Sequence, residues 1–74
     1  MKLGELRKIQ DGSFNVIFYN LSAKSPVFEF ITGESQVIIM SKSFILEDSY
    51  QNESHVIQVL SSMGLGWVYI ESLR

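Results

Sequence analysis

The chain has 74 residues, no cysteine and a formal net charge of −2, with six lysines and arginines against eight aspartates and glutamates. A chain of this size forms one small domain over residues 1–74, and without cysteine it can hold neither a disulfide nor a thiolate metal site. Its basic residues are scattered and form no stripe of the kind that phosphate binding needs, so the composition disfavours nucleic-acid binding.

Short apolar runs separated by turn formers recur along the chain. The first segment, 2–10, is short and contains Gly4, so a helix is not favoured there. Six later runs have the length and the turn boundaries of β-strands. They are FNVIFY at 14–19, VFEFI at 27–31, QVIIM at 36–40, FILE at 44–47, HVIQVL at 55–60 and GWVYI at 66–70. Several such strands at near-regular spacing predict an all-β barrel or sandwich.

The runs within residues 14–40 are apolar on both faces, and Glu29 is their single charged residue. Antiparallel strands with one solvated face should alternate apolar and polar residues. Uncharged runs of this kind aggregate when they are left on a sheet edge. Two explanations remain open: the curvature of a barrel buries both faces in different parts of the core, or a partner subunit covers one of them.

The last two runs can be paired through a turn at Met63–Gly64, because glycine supplies the positive φ that such turns need. This turn predicts that Val59 lies opposite Val68 and that Ile57 lies opposite Ile70.

A turn around Gln51–Asn52 pairs the preceding run in the same way. It predicts that Leu46 lies opposite Ile57 and that Phe44 lies opposite Val59. Both pairings place the same apolar set on the core face: Phe44, Leu46, Ile57, Val59, Val68 and Ile70. The five phenylalanines are likewise expected in the core: Phe14, Phe18, Phe28, Phe30 and Phe44.

The other face of the closing strands is expected to be half-solvated and aromatic. Trp67 and Tyr69 should point away from the core there. Because Trp and Tyr dominate interface hot spots, we predict a partner-binding set from these strands and from the first one: Trp67, Tyr69, Tyr50, Phe18 and Tyr19. The alternative is that Trp67 lies over the barrel wall and covers Leu60 opposite it.

Two stretches resemble one known family. The start, MKLGELRKI, is similar to the M-K-x-G-D-L-V opening of many small Src-homology-3-like (SH3-like) barrel proteins, several of them encoded by bacteriophages. Residues 44–74 resemble their ending, with Gly66, Trp67 and Val68 in a G-W-V closure and Leu73 as a plug over the end of the barrel. The resemblance covers residues 1–9 and 44–74. It implies a barrel of five to six antiparallel strands with a short terminal turn.

The resemblance implies a fold and no single activity, because such barrels serve as peptide binders, nucleic-acid binders and virion or assembly components. Members that bind proline-rich peptides use an aromatic groove. This chain lacks their acidic loop and their Ala-Leu-Tyr-Asp-Tyr type segment, so proline-rich ligands are not expected.

Catalytic and metal chemistry find little support in the sequence. His55 is the single histidine, and the predicted register places it opposite Asp48 as a cross-strand pair on a solvated hairpin. A zinc site needs three or four converging ligands, and a Ser–His–Asp enzyme needs an oxyanion hole and a pocket. The sequence contains no G-x-S-x-G elbow and no phosphate-binding glycine loop. We therefore predict no enzyme activity, no catalytic residue, no metal and no cofactor.

These patterns favour a non-enzymatic protein-interaction module, a phage protein that acts as a virion or assembly component or that modulates a host protein. Its partner would be another protein or a second copy, with a homo-oligomer expected. No leader and no apolar run of roughly 20 residues is apparent, so we expect a soluble protein in the host cytoplasm or the virion. The alternative is a nucleic-acid-binding barrel that stacks bases on Trp67, Tyr69 and Tyr50. It would need a basic rim: Lys2, Arg7, Lys8 and Lys42.

Overall fold

The computed structural model describes residues 2–11, 15–20, 27–47 and 53–74. The elements in chain order are β1 (Leu6–Lys8), β2 (Asn15–Phe18), β3 (Phe28–Ile31), β4 (Gln36–Glu47), β5 (Glu53–Ser61), β6 (Gly64–Tyr69) and a 3₁₀ turn over Ile70–Ser72. The strands form one sheet in the order β1-β4-β5-β6-β2-β3, with antiparallel neighbours throughout. This confirms the predicted all-β fold with a short terminal turn, and the sheet curls into a half-barrel.

Aliphatic side chains line the inner face of the half-barrel. Ile57 and Val59 on β5 alternate with outward-pointing residues, because successive side chains of a strand point to opposite faces. Among the described residues, the core cluster consists of Ile9, Ile17, Ile31, Val37, Ile39, Ile57, Val59, Val68 and Leu73. Burying one such side chain contributes roughly 1.5–3 kcal/mol relative to leaving it in water. This cluster is therefore the main favourable term in the free energy of folding.

The C-terminal residues close one end of the sheet. Leu73 pairs with Ile9 in an isolated antiparallel bridge, and the backbone N–H of Arg74 donates to the carbonyl oxygen of Lys8 over 2.9 Å. Leu73 is only 6% exposed and belongs to the core cluster. It folds back into the core, as the sequence predicted.

The turn between β5 and β6 lies one residue earlier than predicted. Ser61 pairs with Gly64, which makes Ser62 and Met63 the turn residues. Gly64 has φ 103° and follows the turn. It acts as the bulge glycine after a type I turn and does not sit within the turn itself. The Ser61 hydroxyl accepts a hydrogen bond from the Met63 backbone N–H over 3.1 Å and holds the turn.

This turn shifts the β5–β6 register by two residues. Ile57 lies opposite Val68 and Val59 opposite Gly66, so the predicted pairs Ile57–Ile70 and Val59–Val68 are wrong. A slip of two leaves every side chain on its original face, because the side-chain period of a strand is two. Ile57, Val59 and Val68 are consequently buried, as predicted.

The two predicted strands at 36–40 and 44–47 are one continuous strand, β4. Ile39 pairs with Val59 and Ser43 pairs with Ile57, so β4 bulges between them. Ser41 fills the interruption, since its hydroxyl accepts a hydrogen bond from the Gln58 backbone N–H over 3.1 Å. Ser41 and Ser43 therefore lie at a bulge within one strand, and the chain does not turn there.

The predicted β4–β5 register is wrong by an odd number of residues. Phe44 lies opposite Val56 and not opposite Val59, and Leu46 lies opposite Ser54. Because the register differs by three residues, Phe44 and Leu46 lie on the outer face of the sheet. The cause is that the bulge sets the register, while three consecutive apolar residues at 44–46 suit either face equally.

The same shift affects the single histidine. His55 lies opposite Ile45, so the predicted His55–Asp48 pairing is wrong. Asp48 itself and the predicted turn at 51–52 lie outside the described residues.

Gly66→Ala should destabilise the fold. A Cβ at position 66 would lie 2.5 Å from Ile17 Cγ1 and 2.9 Å from the Phe18 carbonyl oxygen. Overpacking of this kind costs about 1–3 kcal/mol. Urea unfolding should show this loss in Gly66→Ala, while Ser62→Ala in the exposed turn stays within about 0.5 kcal/mol of the parent.

The clash with Ile17 can be tested separately. In an Ile17→Ala background the Cβ of Gly66→Ala enters vacated space, so its cost should fall. An unchanged cost in that background would contradict the close approach as the cause.

Candidate interaction surface

The outer face of the sheet, opposite the core, carries an aliphatic row that crosses four strands. Cross-strand pairing joins Leu6 to Ile38, Ile38 to Leu60 and Leu60 to Leu65. These side chains remain 58%, 38%, 40% and 50% exposed, respectively. This aliphatic row contains no charged or polar side chain.

Next to the aliphatic row, aromatic side chains spread over the same face. Trp67 pairs with Phe18, and Phe18 pairs with Phe28. Ring centroids lie 5.7 Å apart for Phe18–Phe28 and 5.4 Å apart for the edge-on pair Phe18–Tyr69. Phe44 meets Trp67 edge-on at 5.3 Å. With Phe30, which meets Phe28 at 6.2 Å, these residues make up the aromatic group: Phe18, Phe28, Phe30, Phe44, Trp67 and Tyr69.

Val56 shows that the aromatic group is packed and not merely exposed. It lies on the outer face between its cross-strand neighbours Phe44 and Tyr69. It is nonetheless fully buried and stands outside the core cluster. The rings around it therefore form a second, smaller apolar layer on the far side of the sheet from the core.

The prediction that the phenylalanines fill the core is wrong for three of the residues described. Phe28, Phe30 and Phe44 are 46%, 65% and 48% exposed. Phe18 is half-buried on the outer face, and Phe14 lies outside the described residues. The physical reason is that the strand period places isoleucines, valines and a leucine on the inner face, and these aliphatic side chains already fill the interior.

The structure brings together three of the five predicted partner-binding residues. Phe18, Trp67 and Tyr69 are neighbours in the aromatic group. Tyr19 lies on the inner side, where it packs against the core cluster, and Tyr50 falls outside the described residues. Trp67 lies directly opposite Gln58 and not opposite Leu60.

Tyr19 makes a polar contact on the inner side. Its hydroxyl donates to Glu29 Oε2 over 3.3 Å. Burial of the phenol, followed by the negative charge and the hydrogen bond of Glu29, raises the pKa of Tyr19 above its ordinary value.

Charged side chains collect at the rim beside β1. Arg7 Nη2 lies 2.8 Å from Glu5 Oε1, and Glu34 pairs with Lys8 at 3.7 Å and also with Arg74. A backbone hydrogen bond from Lys2, together with Arg7, lowers the pKa of Glu5. Because Arg7 and Lys8 are paired with carboxylates, they offer less charge to phosphate than the predicted basic rim requires.

The sequence missed most of the exposed side chains on this surface, including Leu6, Ile38 and Leu65. A signal was present in VFEFI, where Phe28 and Phe30 flank Glu29 at a spacing of two and must share a face. Knowing which face required the pairing of β3 with β2.

Among the described residues there is no group of three or more His, Cys, Asp or Glu side chains that could hold a metal ion. Over the same part of the chain, no helix is long and apolar enough to cross a membrane. No protein-family model matches this chain, and neither a curated protein nor a solved structure matches it.

Phe44 and Trp67 should be energetically coupled. An edge-on aromatic pair contributes about 0.5–1.5 kcal/mol beyond its buried area, so Phe44→Ala and Trp67→Ala should combine with a coupling of that size in denaturant unfolding. Ile45→Ala removes a neighbouring side chain from the opposite face of β4 and should add to Trp67→Ala within about 0.5 kcal/mol. Coupling of Ile45 instead of Phe44 would show that the β4–β5 register is different.

Glu29→Gln should lower the pKa of Tyr19 while leaving it above its ordinary value, because burial of the phenol persists. A phenol whose pKa is raised by folding stabilises the fold fully below the unfolded pKa of about 10. This contribution is lost as the pH rises through the folded pKa, and the loss should be smaller in Glu29→Gln. Phenolate absorbance measured against pH, with Tyr19→Phe to assign the transition, tests this; superimposable curves for parent and Glu29→Gln would contradict it.

Proposed function

We propose that this chain is a non-enzymatic protein-interaction module that binds through the outer face of its sheet. The observation that carries the proposal is the continuous apolar surface formed by the aliphatic row and the aromatic group, which share one face and contain no charged side chain. Exposed aromatic residues surrounded by aliphatic ones are typical of interface hot spots.

The extent of this surface supports binding over a purely structural role. Seven large side chains on it are between 38% and 65% exposed: Leu6, Phe28, Phe30, Ile38, Phe44, Leu60 and Leu65. At roughly 200 Å² for a fully exposed side chain of this size, they present on the order of 700 Å². The largest apolar patch on a typical monomer is about 300–600 Å². The half-buried rings of Phe18, Trp67 and Tyr69 add to the exposed total.

The biological setting that we propose is a bacteriophage protein in the host cytoplasm or the virion. There it acts as a virion or assembly component, or it binds and modulates a host protein. The resemblance of residues 1–9 and 44–74 to phage-encoded Src-homology-3-like barrels supports this setting. Both roles proceed by association and need no chemical step, which agrees with a surface made of apolar side chains.

Trp67→Ala should reduce partner binding more than it reduces stability. Trp67 lies at the centre of the aromatic group, beside Phe18 and Phe44, and truncating a hot-spot tryptophan costs about 2 kcal/mol or more of binding free energy. The measurement is quantitative affinity capture from the organism that encodes the chain, with an untagged copy of the chain present so that self-association is also recorded.

Leu3→Ala is the matched control, because Leu3 is 73% exposed and lies outside the strands. A protein recovered with the parent and with Leu3→Ala, but lost with Trp67→Ala at unchanged far-ultraviolet circular dichroism, supports the proposal. Equal recovery with all three chains would place binding on another surface and contradict it.

A further inference from the structure

We infer that the occupant of the outer face is a second copy of this chain, packed face to face across a two-fold axis that passes beside Gln58. This rests on the proposed function, in that it names the partner of the same surface. A closed two-fold interface uses one patch twice, so the patch must be complementary to itself. Three features of the outer face meet that requirement.

The first feature is area. The exposed part of the aliphatic row and the aromatic group, on the order of 700 Å² plus three half-buried rings, is close to the roughly 800 Å² that each partner contributes to a standard stable interface. A second copy would cover the middle of this surface, where the aliphatic row adjoins the aromatic group. A short peptide laid across it would leave much of both parts of the surface exposed.

The second feature is charge. The chain carries a net charge of −2, yet neither the aliphatic row nor the aromatic group contains a charged side chain. The charges near β1 stand at the rim in opposite-sign pairs, Arg7 with Glu5 and Lys8 with Glu34. Among the described residues, the aliphatic row and the aromatic group can therefore meet their copies without opposing like charges, and these two parts offer no charge pattern that would select a different protein.

The third feature is Gln58, a polar residue that lies on the outer face between the two apolar parts. It lies directly opposite Trp67 and two positions from Leu60 along β5, on the same face. Covering an amide requires a hydrogen-bond partner. A glutamine side chain is both a donor and an acceptor, so two copies of Gln58 that meet at the axis satisfy each other.

The axis direction follows from the two flanks of Gln58. On one side along β5 lies Leu60, in the aliphatic row, and on the other lies Val56, beneath Phe44 and Tyr69. A two-fold axis parallel to the line that joins Gln58 to Trp67 places the two copies face to face. The aliphatic row of each copy then packs on Phe44 and Tyr69 of the other. Aliphatic side chains thus pack on rings twice, and the two Trp67 rings lie near the axis.

A charge exchange at Gln58 tests this arrangement. Gln58→Glu and Gln58→Lys each place two like charges against each other at the axis, so each should weaken the dimer by about a hundredfold or more. Sedimentation equilibrium should find the parent as a dimer and each variant alone as a folded monomer. An equimolar mixture of the two variants should form a heterodimer, because opposite charges then meet.

Ile45→Lys is the control for adding charge to an exposed apolar side chain. Ile45 is 61% exposed and lies on the opposite face of β4 from Phe44, so this variant should remain a dimer. The single tryptophan gives a second readout: diluting the parent through its dissociation should shift the emission of Trp67 to the red, and each Gln58 variant alone should emit at the red position at every concentration.

Several results would overturn the inference. They are a monomeric parent, a dimer that both Gln58 variants leave intact, and a mixture of folded variants that stays monomeric. A monomeric parent that captures another protein or binds phosphatidylcholine vesicles through Trp67 would also refute self-pairing. If the monomeric parent captures another protein through Trp67, the proposed function still stands. A dimer that persists when either Gln58 or Trp67 is substituted would refute both the inference and the proposed surface.

Discussion

The contact between Gly66 and Ile17 is the constraint on which both faces of the sheet depend. Position 66 has no side chain, so Ile17 of β2 can lie against the backbone of β6 and fill the core. The next residue on each strand then points outward, and Phe18 comes to lie beside Trp67. One close approach on the inner face therefore aligns the aromatic group on the outer face. Any residue larger than glycine at position 66 would separate β2 from β6 and open the core and the surface together.

Aliphatic side chains fill the inner face of this sheet, and most of the described aromatic side chains lie outside it. Isoleucine, valine and leucine make up the core cluster, against which Tyr19 is the one described ring that packs, while the aromatic group lies on the outer face beside the aliphatic row. A half-barrel formed by so small a chain has a narrow interior, and β-branched side chains fill such a space in few rotamers. A ring needs 150–250 Å² of cover, which the interior of a 74-residue chain supplies to few side chains. The outer layer around Val56 is the consequence: the rings cover one another there instead of entering the core.

The sequence could predict the fold where the pattern of apolar and polar residues allowed a strand only one buried face. Ile57, Val59 and Val68 alternate with Gln58 and Trp67, so their face was decided even though the register was off by two. FILE offered no such contrast, because an apolar residue at each of positions 44–46 allows either face. The bulge between Ile39 and Ser43 decided the matter, and a bulge depends on the pairing of both strands. The aliphatic row could not be seen at all, because its members come from four strands that only tertiary pairing aligns.

The placement of polar residues supports the proposed role of the outer face as a binding surface. A sheet face that is exposed to water can carry a polar residue at every second position of each strand. Polar residues occur close by in this chain: serines occupy the bulge of β4 and the β5–β6 turn, and charged residues lie at the rim near β1. Replacing Leu6, Leu60 or Leu65 by such residues would leave the core untouched. A chain that instead keeps aliphatic side chains at aligned exposed positions on four strands accepts a hazard of aggregation that folding does not require. Departures of this kind from the local rules of folding concentrate where a protein binds. In the proposed interface, the amide of Gln58 between the aliphatic row and the aromatic group adds specificity to burial, because a covered amide admits only a partner that returns its hydrogen bonds.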